Sequence, residues 1–350
     1  MNKTKRQLPA EWSPQDGVIL TWPHPYGDWA PWLVPVEKIY CRLAEVITRF
    51  EALLVVCYDK KHQAHIQQQL KHTTAQQDKL LFRVVKSNDS WARDHGPITI
   101  LQDGVPRLLD FTFNGWGGKY ASQLDDAITQ QLYSQQTFAN IDVEAFGLVL
   151  EGGSIDSDGA GTLLTTSHCL LTPTRNPSLD QNSFETVLKA TFGLERIHWL
   201  TEGELEGDDT DSHIDMLARF CNPTTIAYCS CDDSADEHYT SLSKMKAELE
   251  VLRDSNNKPY TLVPLPMPNA VFNKKGQRLP GSYANFLIIN GAVLVPLYGD
   301  EHDQIALQRL QDCFPEREVI GIDCRALIEQ FGSLHCITMQ LPEGTLKSLT

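Results

Sequence analysis

Positive charge is scarce in this sequence. Its 350 residues include 30 lysines and arginines against 45 aspartates and glutamates, which gives a formal net charge of −15 at pH 7. Nucleic acid is therefore not an expected partner, because phosphate binding needs a basic surface. A small cationic substrate, in contrast, would be attracted to an acidic protein.

Long apolar runs and a targeting segment are also lacking. No apolar run reaches the roughly 18 residues of a membrane span, and residues 1–10 show no apolar segment of a secretory signal. The nine cysteines are scattered and odd in number, so they cannot all form disulfides. This usage suits a reducing compartment. These features predict a cytoplasmic protein with no membrane partner.

Strand-like segments recur in pairs around short turn signals, which are Asp-Gly or Asn-Gly in three pairs and Asn-Pro in one. Asp-Gly and Asn-Gly predict hairpins with type I′ turns, because these residues tolerate the positive φ that the turn needs. The pairs are Ile98–Leu101 with Arg107–Phe113, Gly153–Ile155 with Thr162–Thr166, Met216–Cys221 with Thr225–Cys229, and Asn285–Ile289 with Ala292–Leu297.

The two ends of the chain can supply a fifth unit of the same kind. Joining Val18–Trp22 to Cys336–Gln340 would close a ring and remove free sheet edges. Segments with helical spacing separate the units; they are Val36–Phe50, Asp180–Thr191, Tyr239–Arg253 and Asp303–Cys313. The pattern predicts a single closed, repeat-built α/β domain over residues 1–350.

Cys336 is the candidate nucleophile of this domain. It lies in a strand-like run, and His335 with the small residues Gly332 and Ser333 precedes it, which indicates a tight loop opening onto a site. The alternative is an inert core cysteine, because free cysteine is among the most buried residue types.

Three carboxylates occupy positions in the repeats that match that of Cys336. Asp94, Glu151 and Asp215 each lie just before, or at the start of, the first strand of a hairpin. Equivalent places in repeats around a ring point to one central axis, so these side chains are expected to converge. Trp91, three residues before Asp94, would add an aromatic wall for a substrate.

His213 and Asp215 form a second chemical signal. In a strand, residues two apart face the same side, so an acid/base imidazole and a carboxylate would share one cavity. A divalent metal is the competing interpretation, with ligands drawn from Asp208, Asp209, Asp211, His213 and Asp215. The segment has neither a recognised ligand framework nor a glycine-turned calcium loop, so no metal is predicted.

Carboxylates around a thiol indicate which substrate would suit the site. Negative neighbours disfavour the thiolate of Cys336, so its pKa should rise unless a cation is present. A guanidinium would supply that cation, and a protonated His213 could add a second. Asp94 and Asp215 could hold the planar N–H forks of the guanidinium and leave its central carbon facing the sulfur.

Several of these motifs resemble those of the agmatine deiminases. They run nearly end to end in the same order: Pro9–Trp12, Thr21–Pro23, Ser87–Asp94, Leu150–Gly153, Thr162–Thr166, Asp208–Asp215, Ser282–Phe286, Pro296–Gly299 and Gly332–Gln340. The resemblance implies the pentein fold of guanidine-modifying enzymes, a five-bladed α/β propeller of ββαβ-type repeats with pseudo-fivefold symmetry.

The resemblance also implies an activity, the hydrolytic deimination of agmatine to N-carbamoylputrescine and ammonia. Cys336 would attack the guanidinium carbon, and water would hydrolyse the resulting amidino-cysteine. His213 would protonate the leaving group and activate the water, while Asp94 and Asp215 clamp the guanidinium. Glu151 would support His213 and the clamp. The scheme needs no metal and no organic cofactor.

Alternatives using the same site are deimination of free or peptidyl arginine, and amidino transfer to an amine. A noncatalytic binding propeller is a third. Ser212, Met216 and Asp156-Ser157-Asp158 depart from the agmatine deiminase pattern and leave the far end of the substrate open. A homodimer is possible, although no residue indicates one.

Overall fold

The computed structural model describes residues 4–347, which form five β-sheets. In chain order the strands are β1 (Arg6–Gln7), β2 (Gln15–Thr21), β3 (Ala52–Cys57), β4 (Leu80–Val84), β5 (Ile98–Gln102), β6 (Val105–Thr112), β7 (Val143–Val149), β8 (Ile155–Ser157), β9 (Thr162–Thr166), β10 (Arg196–Leu200), β11 (Ala218–Asn222), β12 (Thr225–Ser230), β13 (Thr261–Pro266), β14 (Leu287–Ile289), β15 (Ala292–Leu297), β16 (Glu318–Asp323) and β17 (Thr338–Pro342).

Helical segments lie between these strands. The longer helices are α1 (Leu33–Phe50), α2 (Lys60–Leu70), α6 (Ile128–Ser134), α8 (Gln181–Phe192), α9 (Tyr239–Val251) and α10 (Asp303–Cys313). Single helical turns are α3 (Ala92–His95), α4 (Gly115–Gly118), α5 (Gln123–Asp126) and α7 (Ser167–Leu170). Tighter 3₁₀ turns occur at Ala30–Trp32, Gln77–Lys79, Gly152–Ser154, Ile214–Met216 and Ile328–Gln330.

Each sheet repeats one arrangement. An antiparallel hairpin is followed by a helical connection and a third strand, which pairs in parallel with the hairpin's second strand. The hairpins are β5–β6, β8–β9, β11–β12 and β14–β15, and the parallel strands that follow them are β7, β10, β13 and β16. The predicted repeats are thus observed, with helices close to their expected bounds.

The fifth sheet joins the two ends of the chain, as predicted. β17 pairs antiparallel with β2, so that Thr338 lies opposite Leu20 and Gln340 opposite Val18. β3 and β4 then extend the sheet in parallel. The last strand of the protein therefore serves as the first strand of a repeat whose remainder comes from the N-terminal part of the chain.

The hairpin turns differ in how far they match the predicted type. Asp103 and Gly104 both have positive φ, 52° and 81°, as a type I′ turn requires. At Asp158-Gly159 only the glycine has positive φ, and the Asp158 carboxylate accepts hydrogen bonds from the backbone of Ala160 and Thr162 at 2.8 Å. This aspartate therefore organises a longer loop by its side chain instead of entering the left-handed region.

The helices pack by amphipathic faces and end where capping residues occur. α1 buries one face that includes Tyr40, Leu43 and Ile47 and packs against β3 and β16. The side chain of Asp180 caps the start of α8. Within residues 4–347, a search for a helix long and apolar enough to cross a membrane finds none.

The segments that precede the hairpins approach one another. α3 contacts both the turn Gly152–Ser154 and β17, and Gly152–Ser154 in turn contacts the turn Ile214–Met216. The close approach depends on a missing side chain, because a Cβ on Gly153 would lie 2.6 Å from Nδ1 of His213 and 2.9 Å from Oδ1 of Asp94. Four repeats thereby bring their pre-hairpin residues to one place.

Candidate active site

Short turns, rather than strands, hold the site residues. Asp94 lies in α3, Glu151 directly precedes a 3₁₀ turn, and Asp215 lies within the turn Ile214–Met216. The prediction that His213 and Asp215 lie on one strand is wrong. Asp211 and Ser212 have φ of 67° and 66°, and two successive left-handed residues cannot continue an extended strand. The two side chains nevertheless enter the same buried region.

Cys336 lies in the loop just before β17 and is 6% exposed. Its Sγ is 3.3 Å from Nδ2 of Asn285 and 3.9 Å from Oδ2 of Asp215. It lines a cavity together with Trp91 and Asp94, which we call the mouth cavity. The structure thus brings the proposed nucleophile, one clamp carboxylate and the predicted aromatic wall to a single opening.

The local environment keeps the Cys336 thiol protonated. Burial raises its pKa well above the usual value, and the charges of Asp215 and Asp94 raise it further. The predicted rise in pKa is confirmed, although burial, which the sequence does not report, is its larger cause. In the empty site Cys336 is a thiol and a weak nucleophile.

Alkylation should reveal this resting state. We expect iodoacetamide to modify Cys336 slowly at pH 7, with a rate that rises about tenfold per pH unit and reaches its midpoint above pH 9, because only the thiolate reacts. Mass spectrometry of the Cys336 peptide across pH measures this rate. Cys313 is an internal reference, since a hydrogen bond with Cys221 lowers its pKa. Alkylation of Cys336 at pH 7 as fast as that of Cys313 would contradict the prediction.

The pKa values of the two clamp carboxylates shift in opposite directions. Oδ1 of Asp94 accepts a hydrogen bond from the Gly153 amide at 3.0 Å, and Oδ2 accepts one from Nε1 of Trp116 at 2.9 Å. Burial and the nearby charges of Asp215 and Glu151 nevertheless raise the pKa of Asp94 well above its usual value. Ionisation of Asp94 is therefore disfavoured in the empty site, and a cation that enters the site would favour it.

Asp215 shows the opposite behaviour. Burial acts to raise its pKa, but the hydrogen bond and charge of His335 bring it below the usual value. Nδ1 of His335 lies 2.7 Å from Oδ2 of Asp215. The other oxygen, Oδ1, is buried and has no hydrogen-bond partner among residues 4–347. One ionised oxygen is thus available for a substrate.

His213 is buried and neutral in the empty site. Its Nδ1 is 3.6 Å from Oδ1 of Asp94, and its Nε2 has no hydrogen-bond partner in the described part of the chain. Burial lowers the pKa of His213 to about 3. The hypothesis that a protonated His213 adds a second cation is therefore wrong for the empty site. The ring is instead free to accept a proton.

Glu151 has a partner that the sequence did not indicate. Both of its oxygens lie close to Nε of Arg175, at 2.8 and 3.0 Å, and both side chains are fully buried. Nη1 of Arg175 reaches Oδ2 of Asp211 at 2.6 Å. Burial raises the pKa of Glu151, while the charge of Arg175 opposes that rise. Support of His213 by Glu151 stays a prediction.

The outer aspartates that could have bound a metal have structural partners instead. Asp208 accepts hydrogen bonds from Thr210 and Ser212 of its own loop. Asp209 accepts one from the hydroxyl of Tyr120 at 2.8 Å, and Asp211 is paired with Lys119 and Arg175. These contacts explain the acidic run without a cation.

Among residues 4–347, one group of donor atoms is compact enough for a metal, and it is not the acidic run. Glu151, Cys169 and His213 place one donor atom each within 4.8 Å of one another. Arg175 already occupies the carboxylate of Glu151, so a divalent cation there would face a buried guanidinium. This donor set fits a metal poorly.

Sequence reasoning missed three side chains that contact the proposed residues. Trp116 carried a weak signal, because glycines flank it in Gly115–Gly118, while Arg175 carried none. Asn285 begins a predicted hairpin strand and lies in a motif of the family resemblance, but neither signal gave it a role in the site; its amide touches the sulfur of Cys336.

Comparison with known proteins agrees with this geometry. Residues 7–342 match the sequence profile of the Porphyromonas-type peptidyl-arginine deiminase family. The chain is 34% identical to the agmatine deiminase of Stutzerimonas stutzeri over 371 aligned positions, which cover 98% of each protein.

Two solved structures share the mixed α/β fold nearly end to end. The C. jejuni agmatine deiminase with substrate bound is 37% identical, with a TM-score of 0.91 and 99% of each chain covered. A Porphyromonas gingivalis protein provisionally named as an arginine deiminase is 48% identical, with a TM-score of 0.91 and coverage of 98% of this chain and 100% of that one. The extent of these matches and the site geometry agree: the chain belongs to the Porphyromonas-type peptidyl-arginine deiminase family.

Proposed function

We propose that this protein hydrolyses agmatine to N-carbamoylputrescine and ammonia. The observation that carries the choice of substrate is the charge of the mouth cavity. Among residues 4–347, its lining contains four aspartates and neither a lysine nor an arginine: Asp28, Asp89, Trp91, Asp94, Trp116, Tyr120, Asp209, Thr210, Gln330, Phe331, Gly332 and Cys336. A substrate with a cation at each end suits such an opening, whereas the carboxylate of free arginine would meet acidic side chains.

Binding of the guanidinium would prepare the site for attack. Asp215 offers the ionised oxygen Oδ1, and the cation lowers the pKa of both Asp94 and the Cys336 thiol. The neutral His213 can take the proton that the thiol releases. A reactive thiolate therefore exists only when substrate is present, and the resting thiol is protected from other electrophiles.

Two steps complete the reaction. The sulfur of Cys336 bonds to the guanidinium carbon, and the carbon–nitrogen bond to the unsubstituted nitrogen breaks as His213 passes its proton to that nitrogen, which leaves as ammonia. Water then loses a proton to His213 and adds to the cationic amidino carbon. The carbon–sulfur bond breaks, the remaining hydroxyl proton passes to solvent as the carbonyl forms, and the proton on His213 returns to the sulfur. Atoms and protons balance without a cofactor.

Comparison of three substrates tests this function. We expect ammonia release from agmatine, with kcat/KM at least about 100-fold higher than for free arginine or an arginyl peptide, since a misplaced charge costs several kcal/mol. Cys336→Ala is the control for background hydrolysis. Turnover of arginine with agmatine inert would overturn the substrate assignment. Consumption of agmatine only when an acceptor amine is added, without ammonia release, would favour amidino transfer.

Asp209 should contribute to recognition of the far amine. In Asp209→Asn the hydrogen bond from Tyr120 can persist while one negative charge is lost from the mouth cavity. We expect KM for agmatine to rise about tenfold with little change in kcat, because a charge-assisted contact is worth about 1.5 kcal/mol. Steady-state kinetics measures this, and Asp110→Asn, outside the mouth cavity, is the matched control. An unchanged KM would show that the amine is bound elsewhere.

Chelators should leave the activity intact. The outer aspartates have protein partners, and Arg175 occupies Glu151, so no step is assigned to a metal. We expect overnight dialysis against EDTA to change kcat by less than about twofold, as measured by ammonia release. A loss that a divalent metal restores would return the acidic cluster to consideration.

We also propose that residues 1–350 form one catalytic domain, in which the five sheets close into a five-bladed propeller with pseudo-fivefold symmetry. Two features support this proposal. The order hairpin, helix, parallel strand recurs in every sheet, and the pairing of β17 with β2 joins the last repeat to the first.

A further inference from the structure

His335 precedes the nucleophile, but the two side chains line different cavities. Cys336 lines the mouth cavity, whereas His335 lines a second cavity of about 50 Å³ that Glu11 and Arg93 also border. The imidazole is 2% exposed. Its Nδ1 lies 2.7 Å from Oδ2 of Asp215, and its Nε2 lies 2.8 Å from Oε2 of Glu11.

Both ring nitrogens thus face carboxylate oxygens. An ionised carboxylate only accepts hydrogen bonds, and a neutral imidazole carries a single N–H. Two such contacts therefore require a doubly protonated ring if both carboxylates are ionised. Burial acts to raise the pKa of Glu11, but its pKa lies below the usual value, and the charges of Arg219 and Arg93, which do not depend on His335, contribute to that lowering.

Glu11 is itself fixed by partners from other repeats. Its Oε2 lies 2.8 Å from Nη2 of Arg219 and 3.8 Å from Nη2 of Arg93, and its Oε1 accepts the Ile288 amide at 2.7 Å. Nε of Arg219 lies 3.2 Å from Oδ1 of Asp156. Asp156, which departs from the agmatine deiminase pattern, therefore completes a buried row of alternating charges that ends at Asp215.

We propose that His335 is a positioning residue, whose imidazolium keeps Asp215 ionised and turns its Oδ1 toward the substrate while Glu11 holds the imidazolium in place. Asp94 provides the contrast, since it is equally buried, has no such cation among residues 4–347, and has its pKa raised instead of lowered. The role for the substrate rests on the proposed function; the charge state of His335 does not.

The main chain near Cys336 has supports that do not involve the imidazole. The His335 amide donates to Oδ1 of Asn285 at 2.8 Å, and the Arg93 amide donates to the Cys336 carbonyl at 3.1 Å. Removal of the imidazole therefore leaves the loop that carries the nucleophile held at both of these points. The effect of replacing the His335 side chain can therefore be attributed to the loss of its charge.

The protonation of His335 can be measured directly. In the ¹⁵N-labelled wild-type protein we expect both ring nitrogens of His335 to carry a proton at pH 8, because each lies within hydrogen-bond distance of a carboxylate oxygen. Its resonances are those missing from His335→Gln. A neutral ring at pH 8 overturns the proposal whether or not agmatine is the substrate, whereas absence of turnover with a protonated ring would count only against the proposed function.

Kinetics of His335→Gln tests the effect on Asp215. Without the imidazolium of His335, Asp215 takes up a proton at a higher pH. As the pH is lowered, the variant should therefore lose activity earlier than the wild-type protein does. We expect the acid limb of kcat/KM for agmatine to move up by at least one pH unit, with KM raised more than kcat. Glu11→Gln should shift the limb in the same direction and by less.

His198→Gln is the matched control, because this buried histidine contacts the Arg253 carbonyl and Tyr260 away from the site. It should leave the limb in place. An unmoved acid limb in folded His335→Gln would refute the positioning role. If that variant does not fold, Glu11→Gln and the ¹⁵N spectrum decide the question in the same way.

Discussion

Replacement of Cys336 by alanine is expected to abolish ammonia release from agmatine, with kcat falling by about 10⁴-fold or more, as for other catalytic nucleophiles. The physical reason is that no other thiol lines the mouth cavity, so the covalent route is lost completely. Alanine removes only the sulfur from a small side chain, and the surrounding turns should keep their conformation.

The covalent intermediate gives this prediction a second measurement. When wild-type protein is quenched with acid during turnover, mass spectrometry should find an amidino adduct on Cys336. Cys336→Ala should show no adduct. Cys231→Ala, which alters a half-buried cysteine outside the site, should retain both the adduct and the activity. An adduct on a different cysteine would refute the assignment of the nucleophile.

Replacement of His213 by alanine should have the next largest effect, a fall in kcat of about 10²- to 10⁴-fold, which is the usual contribution of general acid–base catalysis. Burial keeps the pKa of His213 at about 3 in the empty site. The imidazole can therefore accept the proton of the Cys336 thiol only after a guanidinium has made the thiol more acidic. Removal of this acceptor leaves the thiol without a base and the leaving nitrogen without an acid.

The fall should appear in both steps of the reaction. Rapid-quench experiments measure formation and decay of the Cys336 adduct separately, and both rates should drop in His213→Ala. His168→Ala, which changes an exposed histidine, is the control and should match wild type. A loss of less than tenfold in a folded His213→Ala variant would assign the proton transfers to another group.

Local sequence signals were sufficient for most of the fold. The turn at Asp103-Gly104 and the alternating segments around it predict their hairpin from neighbouring residues alone, because the backbone preferences of these residues are local. The joining of Val18–Trp22 to Cys336–Gln340 followed from counting incomplete repeats, and the register of β17 on β2 confirms it.

The details of the site were less predictable. The prediction of a strand containing His213 and Asp215 is wrong because Ile214–Met216 forms a 3₁₀ turn and the preceding Asp211 and Ser212 have positive φ. Aspartate and serine indicate a positive φ less strongly than glycine does. Trp116 and Arg175 contact Asp94 and Glu151 only because distant segments pack together. A local sequence pattern cannot predict such partners, because they are far apart along the chain.

The sequence by itself determined that a thiol, an imidazole and three carboxylates lie at matching points of a repeated α/β chain and face a cationic substrate. Only the tertiary structure decided in which direction the pKa of each group shifts. Asp94 and Asp215 are the same residue type and are both buried, yet one has its pKa raised and the other lowered, because His335 contacts only the second. Protonation depends on burial and on the partners of each atom, and both arise from contacts between segments far apart in sequence.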